Sequence, residues 1–335
     1  MTRQFDADKR RTLGLAAASI GTALVGGPLI AKAAETYPVH PINLIVGFAA
    51  GGQSDILGRK VATQLGRELN TPIVVQNKEG ATSTIAVRFV ATSKPDGYTL
   101  LLGGGSGMVM APLVMKVAFD PIKDFSSISM LTTAALSISV HPSVPAKNLK
   151  ELVALIKQQP EKYSYGSSGF GGSDHMTGEL FKQVAGDLKI LHVPYKGAAP
   201  ASQAIIGGQI PILISTFSSV YKYHKTGQMR MLAMTSENRH ESAPDMPTAL
   251  EQGFDGLVAE TYNFLTTPAG TPPEVITTLR AATTKMMARP EFVADLKAAQ
   301  FDPVIGSTPE TTDAFLASEV KKWRRVADIA KITPQ

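Results

Sequence analysis

Cysteine is absent from all 335 residues, which excludes disulfides, thiolate nucleophiles and Cys-ligated metals. That absence is compatible with an oxidising compartment without identifying one. Charge is scarce at 18% of residues, and most of its imbalance is local. Of the net +5, residues 1–33 hold five basic residues (Arg3, Lys9, Arg10, Arg11, Lys32) against Asp6 and Asp8. Removing them leaves 28 basic against 26 acidic residues, or +2. The basic pI therefore belongs largely to the N-terminus, and with no basic–aromatic cluster elsewhere nucleic acid is not an expected partner. No apolar run after residue 33 is long enough to span a bilayer. The six histidines (His40, His141, His175, His192, His224, His240) show neither H-x-x-x-H nor H-E-x-x-H spacing, so no metal site and no cofactor are expected. G-x-G-x-x-G, the P-loop and the G-x-S-x-G elbow are missing too. Met108 and Phe170 stand where the elbow needs its last glycine.

The N-terminus reads as an export signal over residues 1–33. Lys9-Arg10-Arg11 precedes a small and apolar stretch, Leu13 to Ala31, and Ala31-Lys32-Ala33 is an A-x-A cleavage pattern. The paired arginines with Leu13 resemble a twin-arginine signal. Gly14, Gly21, Gly26, Gly27 and Pro28 weaken the stretch as a membrane anchor. Cleavage after Ala33 or Ala34 is the expectation.

Three turns organise the rest. Leu44-Ile45-Val46 is short enough for a buried strand, and Ala49-Ala50-Gly51-Gly52 turns the chain. Ser54 and Asp55 are good N-caps for a helix whose apolar face is Ile56, Leu57, Val61, Leu65 and Leu69. A strand over Tyr98–Leu102 runs into Gly103-Gly104-Gly105-Ser106-Gly107. Ser164 to His175 repeats the small-residue pattern before a helix from Met176 to Ala185, with Ser173 and Asp174 as caps. A glycine turn opening a helix exposes first-turn N–H groups and the positive end of the helix dipole, an arrangement suited to anions. The bland reading is an ordinary capped helix after a tight turn.

Around these turns the pattern predicts strands over Ile73–Val75, Leu136–Val140, Ile210–Ile214, Met229–Met234 and Tyr262–Thr266. It predicts helices over Ile85–Thr92, Leu149–Lys157, Ser202–Ile206, Val275–Met287, Pro290–Ala299 and Thr311–Ala330. Phe119–Phe125 reads as a polar connection and Ser236–Asp245 as a loop. Strand–helix alternation is the grammar of an α/β fold, with ligands at strand C-termini.

Several ordered strings resemble the Bug family of tripartite-tricarboxylate-type (TctC-like) periplasmic receptors. They are Pro38, Pro41-Ile42 and the GGQSD loop at Gly51–Asp55, PDGYTLLLG (Pro95–Gly103), DPIKDF (Asp120–Phe125), GELFK (Gly178–Lys182), HVPYKG (His192–Gly197) and PAGTPPEV (Pro268–Val275). Each is weak alone, but together they cover about residues 37–330 in matching order. The resemblance implies a two-lobed periplasmic binding protein fold of the second type. Residues 34–138 plus 262–335 would form one lobe and 139–261 the other, each a mostly parallel sheet flanked by helices with a cleft between them. It implies a small carboxylate ligand, aliphatic or aromatic, held by backbone N–H groups, hydroxyls and bridging waters. Membrane permease subunits of such a transporter, or a sensor ectodomain, would be the partner of a periplasmic monomer. Carried over residue by residue, the pocket would be lined by Phe48, Ala50, Gly51, Gly52, Gln53, Ser54 and Asp55 from the first turn. The second turn would give Gly105 and Ser106, and the third Ser167, Ser168, Gly169, Ser173 and His175. Thr216, Phe217 and Tyr262 would come from crossover segments.

The chain departs from the family pattern at three places: Ala49-Ala50 for two prolines, Ser215-Thr216 for Asp-Asn, and Thr261-Tyr262-Asn263 for Trp-Phe-Gly. The last two bear on the end of the ligand away from its carboxylate. Asp55 is expected to cap rather than bind. His175 is expected either to pack or to lend the ligand a hydrogen bond. Phe48, Phe170 and Phe217 are either core residues or covers for an apolar ligand body. The competing class is a serine hydrolase using Ser173 or Ser106.

Overall fold

The computed structural model describes residues 37–334, and the export signal with its cleavage site lies outside the described residues. Its chain runs β1 (Ile42–Val46), α1 (Gln53–Glu68), β2 (Ile73–Asn77), α2 (Thr84–Ala91), β3 (Thr99–Gly104), α3 (Ala111–Val114) and β4 (Phe125–Val140). Next come α4 (Leu149–Gln158), β5 (Ser164–Ser167), α5 (Ser173–Val184), β6 (Leu191–Pro194), α6 (Ala198–Ile206), β7 (Ile212–Thr216), α7 (Phe217–Lys225) and β8 (Arg230–Met234). The chain closes with β9 (Glu260–Pro268), α8 (Pro273–Met287), α9 (Pro290–Ala298), β10 (Asp302–Pro303) and α10 (Pro309–Ile329).

The strands form one curled sheet in the order β2-β1-β3-β9-β4-β7-β5-β6, with β8 and β10 also on β4. Two parallel groups, β2-β1-β3 and β7-β5-β6, are joined through the antiparallel pair β4 and β9. This is the two-part α/β arrangement that the family resemblance implies. β4 connects the halves: Phe125–Ala135 pairs with β9, and Leu136–Val140 with β7 and β8.

Two corrections to the sequence reading concern this middle. Phe125 does not end a polar connection but opens β4, a strand of 16 residues instead of the five expected. Ser126, Ser127, Ser129, Thr132 and Thr133 break the apolar pattern that marks a strand. Most of them are buried. They are kept there by hydrogen bonds such as Ser129 Oγ to the Met130 carbonyl at 2.9 Å and Asn263 Nδ2 to Thr132 Oγ1 at 3.2 Å. Second, Phe217–Lys225 is a helix that the apolar periodicity did not announce.

Leu57, Val61 and Leu65 of α1, with Leu69 at its C-terminal cap, pack with Ile42, Leu44 and Val46 of β1 and with Leu279 and Met286 of α8 in one core, whereas Ile56, expected on the same face, is exposed. A larger core joins β4, α5 and α10, and its Trp323 is fully buried with Nε1 donating to Glu319 Oε2 at 2.7 Å. Because that core crosses the sheet's middle, residues 36–335 form one compact unit.

Candidate functional site

The first arm lies between β1 and α1. The expectation that Ser54 and Asp55 cap the helix is corrected by its start: α1 begins at Gln53, and Gly52 is the cap. Gly51 takes φ +79°, a conformation that favours glycine. Asp55 sits in the first turn, 3% exposed, and reaches back. Its Oδ2 accepts the Gly51 N–H at 2.8 Å and Arg59 Nε at 2.9 Å, and its Oδ1 accepts Asn77 Nδ2 at 3.0 Å. Arg59 and those donors hold the carboxyl down at about 2. The first-turn N–H groups of Gln53 and Ser54 keep no intrahelical acceptor. Ala50 and Phe48 are exposed at the rim.

The second arm lies between β5 and α5 and repeats this design. Again the helix starts one residue before the expected caps take effect: Gly172 is the cap and Ser173 opens the helix. Asp174 is buried and accepts the N–H groups of Ser168 and His175. Burial pushes its pKa up, against those hydrogen bonds. Ser167 is fully buried and bonds within the loop, donating to the Gly169 carbonyl at 3.0 Å and pairing with His192 Nε2 at 2.7 Å. His175 packs. Its ring stacks on His192 at 4.0 Å and lies 4.8 Å from Phe170, and its Nδ1 accepts the Gly171 N–H at 3.1 Å. Burial, then the charge of Lys182, lowers His175 to about 4, and burial lowers His192 to about 3, so both rings are neutral at pH 7. With Nδ1 accepting, the proton of His175 resides on Nε2.

The glycine run 103–107 is not a loop. β3 continues to Gly104, and Ser106–Met110 forms a wide π-type turn leading into α3. Its glycines serve close packing: a Cβ on Gly105 would lie 2.7 Å from the Tyr262 ring, and one on Gly103 2.8 Å from Phe264. Tyr262 is itself buried, edge-on to Phe315 at 4.8 Å, and its hydroxyl has no hydrogen-bond partner among the described residues. Burial and the nearby Glu319 charge push its pKa well above the usual tyrosine range. Phe217 is also core, 2% exposed and 4.5 Å from both Tyr221 and His240. Of Phe48, Phe170 and Phe217, only Phe48 is exposed.

Four hydrogen bonds join these segments across the sheet. Ser106 Oγ lies 2.9 Å from Ser173 Oγ and accepts the Ser173 N–H at 3.1 Å. Gln53 Nε2 donates to Ser218 Oγ at 2.7 Å, and Thr82 Oγ1 donates to the Phe170 carbonyl at 3.0 Å. Thr216 Oγ1, beside them, pairs with Ser219 Oγ at 2.7 Å. Sequence reasoning missed Thr82, Ser83 and Ser218. The available signals were a strand running into hydroxyl residues at Ser215–Ser219, and Gly80 followed by Thr82, Ser83 and Thr84 ahead of an apolar helix. Ala81, Thr82 and Ser83 are left-handed at φ +45°, +53° and +73°, which costs about 1–2 kcal/mol per residue.

The converging segments, 48–55, 80–84, 103–107, 167–175 and 215–219, contain no lysine or arginine. Their donors are helix N-termini, hydroxyls and amides, and the two carboxylates beneath them are already engaged. No group of three or more His, Asp or Glu residues suited to a metal occurs among the described residues. Nor is any helix there long and apolar enough to cross a membrane. A separate cavity of about 280 Å³, lined by Thr133, Ser236, Glu237, His240, Glu260 and Asp302, lies where β4 passes between the halves, and no arm residue lines it.

The profile of the "Tripartite tricarboxylate transporter family receptor" matches residues 57–332. The protein BugT of Bordetella pertussis is 32% identical over 318 residues, 94% of this chain and 96% of its own. A Rhodopseudomonas palustris protein solved with adipate superposes with TM-score 0.81 at 29% identity, over 89% of this chain and all of its own. MatC from the same organism, solved with bound malate, gives 0.78 at 26% identity, over 87% and 99% of the two chains.

Proposed function

The chain belongs to the tripartite tricarboxylate transporter receptor family, and from that premise we propose that it captures a small carboxylate in the periplasm. The observation that carries this reading is that the α1 and α5 N-termini each hydrogen-bond to a hydroxyl from another part of the fold, Gln53 to Ser218 in α7 and Ser173 to Ser106 after β3, in segments that contain no lysine or arginine. Neutral donors suffice for a carboxylate, because each hydrogen bond to it is charge-assisted and both helix dipoles favour negative charge. Asp55 does not oppose this strongly, since Arg59 balances it at 2.9 Å. Asp174 is already engaged by the N–H groups of Ser168 and His175. Relatives seen with adipate and malate support the ligand class.

In this reading the lobes are residues 34–138 plus 262–335 and residues 139–261. They close over the ligand by a hinge motion in β4 and β9. Ala50–Ser54, Gly105–Ser106 and Ser168–Ser173 contribute the carboxylate contacts, directly or through water, and Phe48 shields the ligand body. The receptor acts as a monomer and delivers its ligand to membrane permease subunits. It carries out no chemistry. Ser106 and Ser173 hydrogen-bond each other instead of a histidine, whereas a serine nucleophile needs a base within reach.

A thermal-shift screen of the chain from Ala34 tests the proposal with adipate, malate, citrate and benzoate as probes. Ligand at about 100 times its dissociation constant stabilises the fold by ~2.7 kcal/mol, which for a chain of this size is a shift of several degrees. Absence of a shift with every carboxylate, in a protein shown to be folded, would refute the reading.

A further inference from the structure

Segment 80–84 combines unfavourable backbone with contacts that reach both halves of the sheet. Ala81, Thr82 and Ser83 take φ values of +45°, +53° and +73° in succession, after Gly80 at +122°. Left-handed backbone in a β-branched residue such as Thr82 is an outlier that persists only where the surroundings impose it. Here the surroundings are the end of β1 and the turn after β3. A Cβ on Gly47, at the end of β1, would lie 1.8 Å from Ser83 Oγ. One on Gly107, in the turn after β3, would lie 2.8 Å from Ser83 Cβ and 3.0 Å from the Thr82 carbonyl oxygen. Ser83 therefore fills the space that those two glycines leave, and this wedging sets the direction of its neighbour. The Thr82 hydroxyl reaches 88 residues along the chain to donate to the Phe170 carbonyl at 3.0 Å. Phe170 lies in the middle of the second arm, whose next residue, Gly171 (φ +75°), is also pressed against the first half. A Cβ there would be 2.7 Å from Val114.

We propose that Thr82 is a positioning residue of the binding site, which clamps the second arm through the Phe170 carbonyl and so governs how slowly ligand is released. The proposal rests on the reading that the arms hold a carboxylate. The bond joins groups on opposite sides of the ligand region, so it forms as the arms meet and must break before they part. It is absent from the open state that ligand enters. It therefore acts on dissociation and leaves association unchanged.

The test compares wild type with Thr82→Val, which keeps the β-branched shape and loses the hydroxyl, and Thr82→Ser, which keeps the hydroxyl. Two readouts are taken. Stopped-flow binding of adipate and malate should show release about 3–10-fold faster in T82V, the usual scale for one hydrogen bond, with unchanged association and near wild-type rates in T82S. Amide exchange of residues 169–174, measured with saturating adipate or malate, should be faster in T82V by a similar factor and restored in T82S. If wild type binds neither probe, the carboxylate reading fails and the role of Thr82 in release fails with it, whereas binding with wild-type release in T82V sinks the clamp alone. Wild-type exchange in T82V, or a T82S variant that behaves like T82V in both readouts, would overturn the proposal.

Discussion

Replacing Glu260 by glutamine should make the protein more stable above neutral pH and leave it unchanged in acid. Glu260 opens β9 beside Ala135 and lines the cavity at the passage of β4. Burial raises its pKa from 4.5 to about 7, helped by the negative charges of Asp302, Glu237 and Glu319 and opposed by Lys322. A carboxyl whose folded pKa exceeds its unfolded value contributes stability that is fully present below about pH 4.5 and lost as pH rises through about 7. At about 1.4 kcal/mol per pH unit the ceiling on that loss is ~3.5 kcal/mol. Glu260 is only partly covered, so water reaching the cavity should reduce the loss to about 1–2 kcal/mol. At roughly 2–4 °C per kcal/mol, E260Q should melt about 2–8 °C above wild type at pH 8. The difference should shrink through pH 6 and vanish near pH 4.5. The assay is thermal unfolding of both proteins at one scan rate from pH 4.5 to 8. Groups common to both proteins cancel in the difference. A difference that is flat across this range, or that grows towards acid, would refute the reasoning.

Asp55→Asn should behave with the opposite pH sense. The depressed Asp55 carboxyl contributes stability present above about pH 4 and lost as pH falls through about 2. Asp55 is buried but the Arg59 side chain that pairs with it is 58% exposed, so solvent screens the pair and the variant should lose no more than about 1 kcal/mol in urea unfolding at pH 7, and the two proteins should converge near pH 2. Gly178→Ala should destabilise despite alanine's better helix propensity, because its Cβ would lie 2.2 Å from the buried Tyr165 ring. Overpacking of that kind costs about 1–3 kcal/mol and should appear as a lower urea midpoint, and an unchanged midpoint would show that the ring moves freely.

The contrast between what was legible and what was not follows the range of the interactions. α1 and α5 were readable because a helix N-terminus is a local event, written in Gly51–Asp55 and Gly172–His175. Even there the start was misplaced by a residue or two. Asp55 and Asp174 act from inside the first turn, on N–H groups behind it, where a cap residue would sit ahead. β4 was mostly missed because a strand buried among other strands can carry serine and threonine when each finds a partner. Those partners, Met130, Ser215 and Asn263, are set by the fold. Phe217 was open between core and ligand cover and Tyr262 was expected to line the pocket, and packing against His240 and Phe315 buries both.

By itself, then, the sequence determined the α/β class, the glycine turns that open helices, the lack of thiol chemistry, and, through the order of its motifs, the family. Each of these depends on residue types within a few positions of one another, or on their order along the chain. The tertiary structure decided which arms meet and through which atoms: Gln53 with Ser218, Ser106 with Ser173, and Thr82 with Phe170. Those pairs lie 165, 67 and 88 residues apart. No local periodicity encodes such a pairing. It exists because β4 and β9 bring two separately wound sheets edge to edge, and because glycines at 47 and 107 let Ser83 turn Thr82 towards the other side.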